Sequence, residues 1–171
     1  GVDINFYDVN KTIGENAWRK EHNYSSGAFI LFYGGIIGHA QGLDVILNAA
    51  KELENYENIK FVLLGNGPEK ERLQKLKAEL GLNNLQFFDA VPKSQMQKII
   101  MDTNASIIPL KRLDLFKGAI PSKIFENLAL KKPIILGVEG EAEELFIQQG
   151  KCGVSFTPED SEDLAKQILH L

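Results

Sequence analysis

Phe29-Ile30-Leu31-Phe32-Tyr33-Gly34-Gly35-Ile36-Ile37-Gly38 reads as a strand apolar on both faces that runs straight into a glycine loop. An uninterrupted apolar run of strand length belongs in a parallel sheet covered on both sides. The residues downstream repeat the theme. Leu43, Ile46, Leu47, Ala50 and Leu53 recur at helical spacing, and Ile59 to Leu64 is a second apolar run, stopped by Gly65-Asn66-Gly67-Pro68. An amphipathic helix is expected from about Glu69 to Leu80, with Gly81 as its stop. A third run, Leu85 to Phe88, precedes a helix to Met101 with Ser94 at N-cap spacing, and a fourth, Ala105 to Ile108, ends at Pro109. A helix from Pro121 to Leu130 leads to the run Ile134 to Leu136. Glu141 to Gln149 reads as helix with Gly150 as its stop, Val154 to Phe156 as a short strand, and Ser161 as the cap of a last helix.

Apolar runs alternating with helices of about 10 residues are the pattern of βαβ units. The fold class is therefore α/β, a doubly wound, mostly parallel six-stranded Rossmann-like sheet, with expected strand order 3-2-1-4-5-6 because crossovers are right-handed. Ligands bind such sheets beyond the carboxyl ends of the strands. The loops to read are then Gly34 to Gln41, Gly65 to Pro68, Asp89 to Pro92, Pro109 to Pro121 and Gly137 to Glu141. Upstream, Thr12 to Glu21 reads as a short helix, with Thr12 and Glu15 at capping-box spacing.

The composition agrees with one domain, 1–171: 44% hydrophobic and 25% charged, enough for one core. A net charge of −4 argues against a broad nucleic-acid surface, which needs a basic face. The lone Cys152 excludes an internal disulfide, reads as a small buried residue, and fits a cytoplasmic protein. No apolar run approaches the roughly 20 residues of a membrane span. Gly1-Val2-Asp3 lacks an initiator Met, which suggests an excised domain.

Chemistry concentrates around Pro121-Ser122-Lys123-Ile124-Phe125-Glu126. Pro at a first helical position is pre-set for helix entry, and the N–H groups of a first turn attract anions. Lys123 in that turn opposes the helix dipole, so its presence suggests a diphosphate, with Arg112 and Lys117 as further candidates. Glu126, on a helix whose other face carries Ile124, Phe125 and Leu128, could accept two vicinal hydroxyls such as those of ribose. Gly34, Gly35 and Gly38 let backbone approach a ligand but make a poor G-x-G-x-x-G fingerprint, and the acid expected after the second strand is missing. His39 reads as a solvent-facing loop residue rather than an acid or base; His22 and His170 carry no assigned role. No His, Cys or carboxylate pair has metal-ligand spacing, and no Walker motif or G-x-S-x-G elbow is present.

These residues, in this order, resemble the C-terminal domain of family 4 retaining glycosyltransferases of the GT-B fold. Gly1-Val2-Asp3 is similar to the end of the family's "PNGVD" linker, and Tyr33-Gly34-Gly35 through Gln41-Gly42-Leu43-Asp44 to its glycine loop and "KGLD" helix start. Leu64-Gly65-Asn66-Gly67-Pro68 resembles its "GxGP" turn. Glu126-Asn127-Leu128-Ala129 through Lys132-Pro133-Ile134-Ile135 resembles its "EAMAxGxPVV" segment.

The resemblance implies the donor-binding half of an enzyme that transfers a sugar from a nucleoside-diphosphate sugar, UDP-linked by expectation, with no required metal. The donor-binding positions are Gly34, Gly35, Gly67, Val91, Gly118, Ser122, Lys123 and Glu126, with Glu126 on the ribose and the loop at Ala90-Val91 on the base edge. Catalytic residues and the acceptor, a glycan or lipid-linked sugar, would belong with an N-terminal domain not in this chain. The protein would be cytoplasmic or peripheral at the inner membrane face. Two departures stand out. The first acid of the family's E-x7-E motif falls at Gly118, and its two phosphate-binding cations correspond to Ile36 and Gln41. Gly118-Ala119-Ile120-Pro121-Ser122-Lys123 resembles a subgroup linked to colanic acid and N-acetyl-fucosamine transfer in bacterial polysaccharide synthesis, so Lys123 and nearby N–H groups are expected to stand in for the cations. The alternatives are a UDP-sugar 2-epimerase-like GT-B enzyme and a non-catalytic nucleotide-binding or interaction module on the same fold.

Overall fold

The computed structural model of the chain describes residues 16–171. The Thr12–Glu15 capping box and the Gly1-Val2-Asp3 match lie outside the described residues. Six strands, β1 (Phe29–Gly34), β2 (Ile59–Leu64), β3 (Leu85–Phe88), β4 (Ala105–Pro109), β5 (Ile134–Gly137) and β6 (Gly153–Ser155), form one sheet in the order β3-β2-β1-β4-β5-β6. Every pairing is parallel, as the apolar runs required; β1 pairs with β2 from Phe29↔Ile59 to Gly34↔Leu64 and with β4 at Leu31↔Ala105. The chain winds outward from β1 through β2 to β3, then returns to β4 and winds the other way. The ends of β1 and β4 therefore diverge at the switch point, which opens a crevice beyond their carboxyl ends.

The helices are α1 (Ala17–Glu21), α2 (Asp44–Glu52), α3 (Lys70–Leu80), α4 (Lys93–Met101), α5 (Lys123–Ala129), α6 (Glu141–Glu143) and α7 (Ser161–Leu169). One face of the sheet packs Leu31, Tyr33, Phe61 and Leu63 against α2 and α7; the other packs Ile30, Phe32, Val62 and Leu64 against Trp18, Ile99 and Ile100. This alternation of faces along each strand is the period of two that buries both sides.

Several helix starts differ from the sequence expectation by one or two residues. Pro92, not Ser94, occupies the N-cap of α4, and Asp160, not Ser161, caps α7 by accepting the Asp163 N–H at 2.9 Å. Ser, Asp and Pro all suit helix entry, so local preference alone does not rank them. α5 starts at Lys123 with Ser122 as N-cap, so Pro121 precedes the helix instead of opening it. The expected single helix Glu141–Gln149 is one α turn followed by a π-helical turn, Glu144–Gln149. Cys152 is half-buried, not buried, against the apolar cluster of Ile134 and Leu136. Gly81 does end α3 in the left-handed conformation, at φ 66°.

α1 is tied to the opposite end of the sheet. The Arg19 guanidinium donates to the carbonyls of Asp102 and Ala28 and to Asn104 Oδ1 at 2.5–2.7 Å, and Asp102 accepts the Trp18 N–H. Burial pulls the Arg19 pKa down, partly opposed by Asp102. Replacing Arg19 with Met strands those acceptors; urea unfolding should show a loss of roughly 2–4 kcal/mol. At the other end, a β-carbon on Gly65 would stand 1.8 Å from the Gly35 carbonyl oxygen. Gly65→Ala should therefore destabilise the chain by more than the ordinary helix or strand cost of about 1 kcal/mol, with a fall in thermal midpoint of several degrees.

Candidate functional site

The crevice is built by loops that continue the sheet. After β1 and β2 end, Gly35 N–H still donates to Leu64 O at 2.9 Å, Ile37 N–H to Asn66 O at 3.0 Å, and Glu69 N–H to Ile37 O at 3.1 Å. A side chain on Gly67 would strike the Ile37 carbonyl at 2.3 Å. The glycine loop is thus held against Gly65–Pro68 by backbone contact alone, and Gly67 buttresses the loop. Gly34 serves packing: a β-carbon there would meet the Phe32 ring at 2.7 Å. His39, expected to face solvent, is 71% exposed but pairs with Glu69 at 2.7 Å, and Glu69 also binds Arg72.

Lys123 lies across Gly35. A β-carbon at Gly35 would stand 2.5 Å from Lys123 Cε and 2.8 Å from Nζ, and the Gly35 φ of 146° suits glycine. The ammonium sits 5.4 Å from the centroid of the Tyr33 ring, within cation–π range. Tyr33 donates its hydroxyl to Ile36 O, and burial pushes its pKa up. Lys123 is placed by Asn127, which donates to the Lys123 carbonyl at 2.8 Å and accepts the Ser106 hydroxyl of β4.

The three candidate cations differ sharply. Arg112 pairs with Glu139 at 3.5 Å and Lys117 with Asp114 at 3.0 Å, whereas Lys123 makes no salt bridge among the described residues. Burial pulls the Lys123 pKa below its ordinary value, and the charge of Glu126 only partly opposes this. The backbone around it is also incompletely used. The N–H groups of Ile124, Phe125 and Glu126 donate to the carbonyls of Pro121 and Ser122, which leaves those of Ser122 and Lys123 without an acceptor among the described residues.

Lys123 separates two spaces. On one side is a narrow crevice of about 20 Å³, bordered by Gly34, Met96, Ser106, Glu126 and Asn127. On the other is a cleft of about 290 Å³, bordered by Tyr33, Gln41, Leu110, Phe116, Ile120 and Ser122. Phe125, expected to be packed on the inner face of α5, is 40% exposed, while Ile124 is fully buried. Gly118 lines neither space, and a β-carbon there would meet nothing within 4 Å. Val91 also lines neither; it packs beside Phe88 and Met96. The structure therefore brings Gly34, Gly35, Ser122, Lys123 and Glu126 together, with Gly67 supporting them from behind.

Sequence reasoning missed Gln41 as a lining residue and the ring cluster of Trp18, His22 and Tyr24 with Phe88, which joins it from β3, far along the chain. A further space of about 650 Å³ is an open groove along the outer edge of β3 beside Lys77 and Phe87, far from the switch point. Among the described residues no three His, Cys, Asp or Glu side chains gather as a metal site, and no helix is long and apolar enough to cross a membrane.

Comparison with known proteins places this architecture. The chain is 28% identical over 128 residues to the putative colanic acid biosynthesis glycosyl transferase WcaI of Escherichia coli K12, covering 75% of this chain and 31% of that protein. The chain thus spans about a third of that relative. It superimposes on Alr3699/HepE of Anabaena, solved with UDP and glucose, with a TM-score of 0.79 at 18% identity, covering 99% of this chain and 45% of the other. The C-terminal domain of a group 1 family glycosyl transferase (LpcC) from Francisella tularensis gives a TM-score of 0.78 at 17% identity over 100% of this chain and 87% of that one. At these identities the structural likeness is one of fold. The sequence model of the group 1 glycosyl transferases matches residues 14–171, and the chain belongs to that family.

Proposed function

We propose that this chain is the donor-binding half of a retaining glycosyltransferase and that it holds a nucleoside-diphosphate sugar, UDP-linked, at the switch point. One observation carries the reading: the half-buried Lys123 ammonium lies over Gly35 without a carboxylate at salt-bridge distance among the described residues, beside two backbone N–H groups that make no hydrogen bond there. A cation whose burial is only partly offset by Glu126 is costly in the empty site and becomes an asset when a diphosphate arrives. Glu126, on the crevice side of Lys123, takes the ribose hydroxyls; the loop at Val91 takes the base edge. Gly35, Ser122 and Lys123 take the phosphates, and the sugar enters the 290 Å³ cleft. Gly118 and Gly67 shape the loops around the ligand.

The chemistry of this half is leaving-group stabilisation. As the bond between the anomeric carbon and the diphosphate oxygen breaks, negative charge grows on the diphosphate, and Lys123 and the N–H groups oppose it. The new bond forms to an acceptor hydroxyl, whose proton passes to the departing diphosphate. The acceptor, a glycan or lipid-linked sugar of bacterial polysaccharide synthesis, docks on an N-terminal domain, so this chain binds donor without turning it over. The reading needs no metal and suits a cytoplasmic protein, peripheral at the inner membrane face. The presence of UDP in the Anabaena neighbour supports the choice of base.

Calorimetric titration with UDP tests the site. Lys123→Ala should weaken binding by roughly 10–100-fold and Glu126→Ala by about 10-fold, the range expected for charge-assisted hydrogen bonds. Unchanged affinity in both variants would sink the assignment.

A second expectation concerns pH. Burial sets the folded pKa of Lys123 below 10.5, so the unfolded chain holds this proton more tightly. The group's contribution to stability therefore rises with pH between the lowered value and 10.5, while affinity for a diphosphate, which needs the charged form, falls over the same window. UDP affinity should decline on the alkaline side in the wild type, and Lys123→Arg should flatten that decline relative to it.

A further inference from the structure

Tyr33 closes the buried stretch of β1, where the strand passes into the glycine loop. It stands among Leu31, Ile37, Phe61 and Leu63 and is 1% exposed. A phenylalanine would fill the same space without a hydroxyl that has to be satisfied. That hydroxyl donates to the Ile36 carbonyl at 2.5 Å. The Ile36 side chain faces water, so this bond, not packing, pins the loop at that residue. The next residue, Ile37, is held separately, by its own burial and by its N–H on Asn66 O.

The same side chain meets the cation. The Lys123 ammonium lies 5.4 Å from the ring centroid. The point where Gly35 would carry a β-carbon is 2.5 Å from Lys123 Cε and 3.6 Å from the Tyr33 hydroxyl oxygen, so loop floor, ring and cation meet at one place. Asn127 and Ser106 fix the Lys123 backbone, but the end of a long, flexible side chain needs a restraint of its own. No carboxylate at salt-bridge distance supplies one among the described residues. Resting on the reading of this site as a nucleoside-diphosphate pocket, we infer that Tyr33 is a positioning residue for the diphosphate: its ring holds the Lys123 ammonium over Gly35, and its hydroxyl fixes the glycine loop at Ile36. The two jobs separate by chemistry, because phenylalanine keeps the ring and loses the hydroxyl. They also separate by pH, because only the ring acts on the charged form of Lys123. Glu126, on the same helix, and Tyr33, from β1, are the other titratable groups at the two spaces that Lys123 divides; the remaining residues bordering them carry no charge.

The test uses the 171-residue chain and calorimetric titration with UDP, from neutral to alkaline pH, on the wild type, Tyr33→Phe, Tyr33→Leu and Lys123→Ala. Proton loss from UDP itself is common to all four and cancels in the ratio of variant to wild-type affinity. Tyr33→Phe should weaken binding about 3–10-fold, the range of one hydrogen bond, with the alkaline decline in affinity unmoved. Tyr33→Leu should weaken it further and start the decline roughly 0.5–1 pH unit lower, because an ammonium without the ring gives up its proton sooner. The position of the decline is insensitive to loss of folded protein, and Tyr33→Met carries the same test where the leucine variant does not fold. A merely structural tyrosine would lower affinity by one factor at every pH. A decline that stays at the wild-type pH without the ring, or full affinity in Tyr33→Phe, overturns the inference and leaves the nucleotide site standing. Failure of UDP to bind the wild type, or a Lys123→Ala profile that matches it, overturns the site reading beneath.

Discussion

The contact between two loop backbones, Gly35 against Gly65, is the constraint on which the site depends. No side chain fits between them, because a β-carbon on Gly65 would lie 1.8 Å from the Gly35 oxygen. The hydrogen bonds from Gly35 to Leu64 and from Ile37 to Asn66 carry the β1–β2 ladder past the ends of the strands. That extension fixes Gly35 at the floor of the switch point. Lys123 then lies across the glycine and over the Tyr33 ring. A backbone floor of this kind needs no side-chain cations of its own, which fits the presence of Ile36 and Gln41 where relatives by resemblance carry basic residues.

The second link is between β4 and α5. Asn127 joins the Lys123 carbonyl to Ser106 of β4, so the cation's position is set from the sheet. The 3-10 turn Asp114–Phe116 and the loop after it border the cleft beyond Lys123, and Arg112 and Lys117 pair with Glu139 and Asp114. Of the three candidate cations, Lys123 is thus the one outside a salt bridge among the described residues.

The architecture was legible in the sequence because most strands are largely apolar runs, those of β1, β2, β4 and β5 ending at or just before Gly or Pro, and a sheet buried on both faces demands such runs. Strand order followed from crossover handedness. Helix starts were less legible: Pro92 and Ser94, or Asp160 and Ser161, are neighbouring residues with similar capping capacity, and packing decides between them. The π-helical turn after Glu143 has no periodic signature short enough to see in six residues. That Gly35, Ser122, Lys123 and Glu126 gather at the switch point was legible because the first loop and the start of α5 both lie beyond the carboxyl ends of β1 and β4. That Arg112 and Lys117 are neutralised and Lys123 is not was illegible, since one partner, Glu139, comes from the loop after β5. Gly118 stood out by motif position but faces open space, and Gln41 stood out only as a missing lysine.

The most direct measurement is a crystal structure of this chain with UDP. The account predicts diphosphate oxygens within hydrogen-bond distance of Lys123 Nζ and of the Gly35, Ser122 or Lys123 N–H groups, with ribose hydroxyls on Glu126. A nucleotide seated instead in the groove beside β3, or a diphosphate held by Arg112 and Lys117 with Lys123 uninvolved, would contradict it.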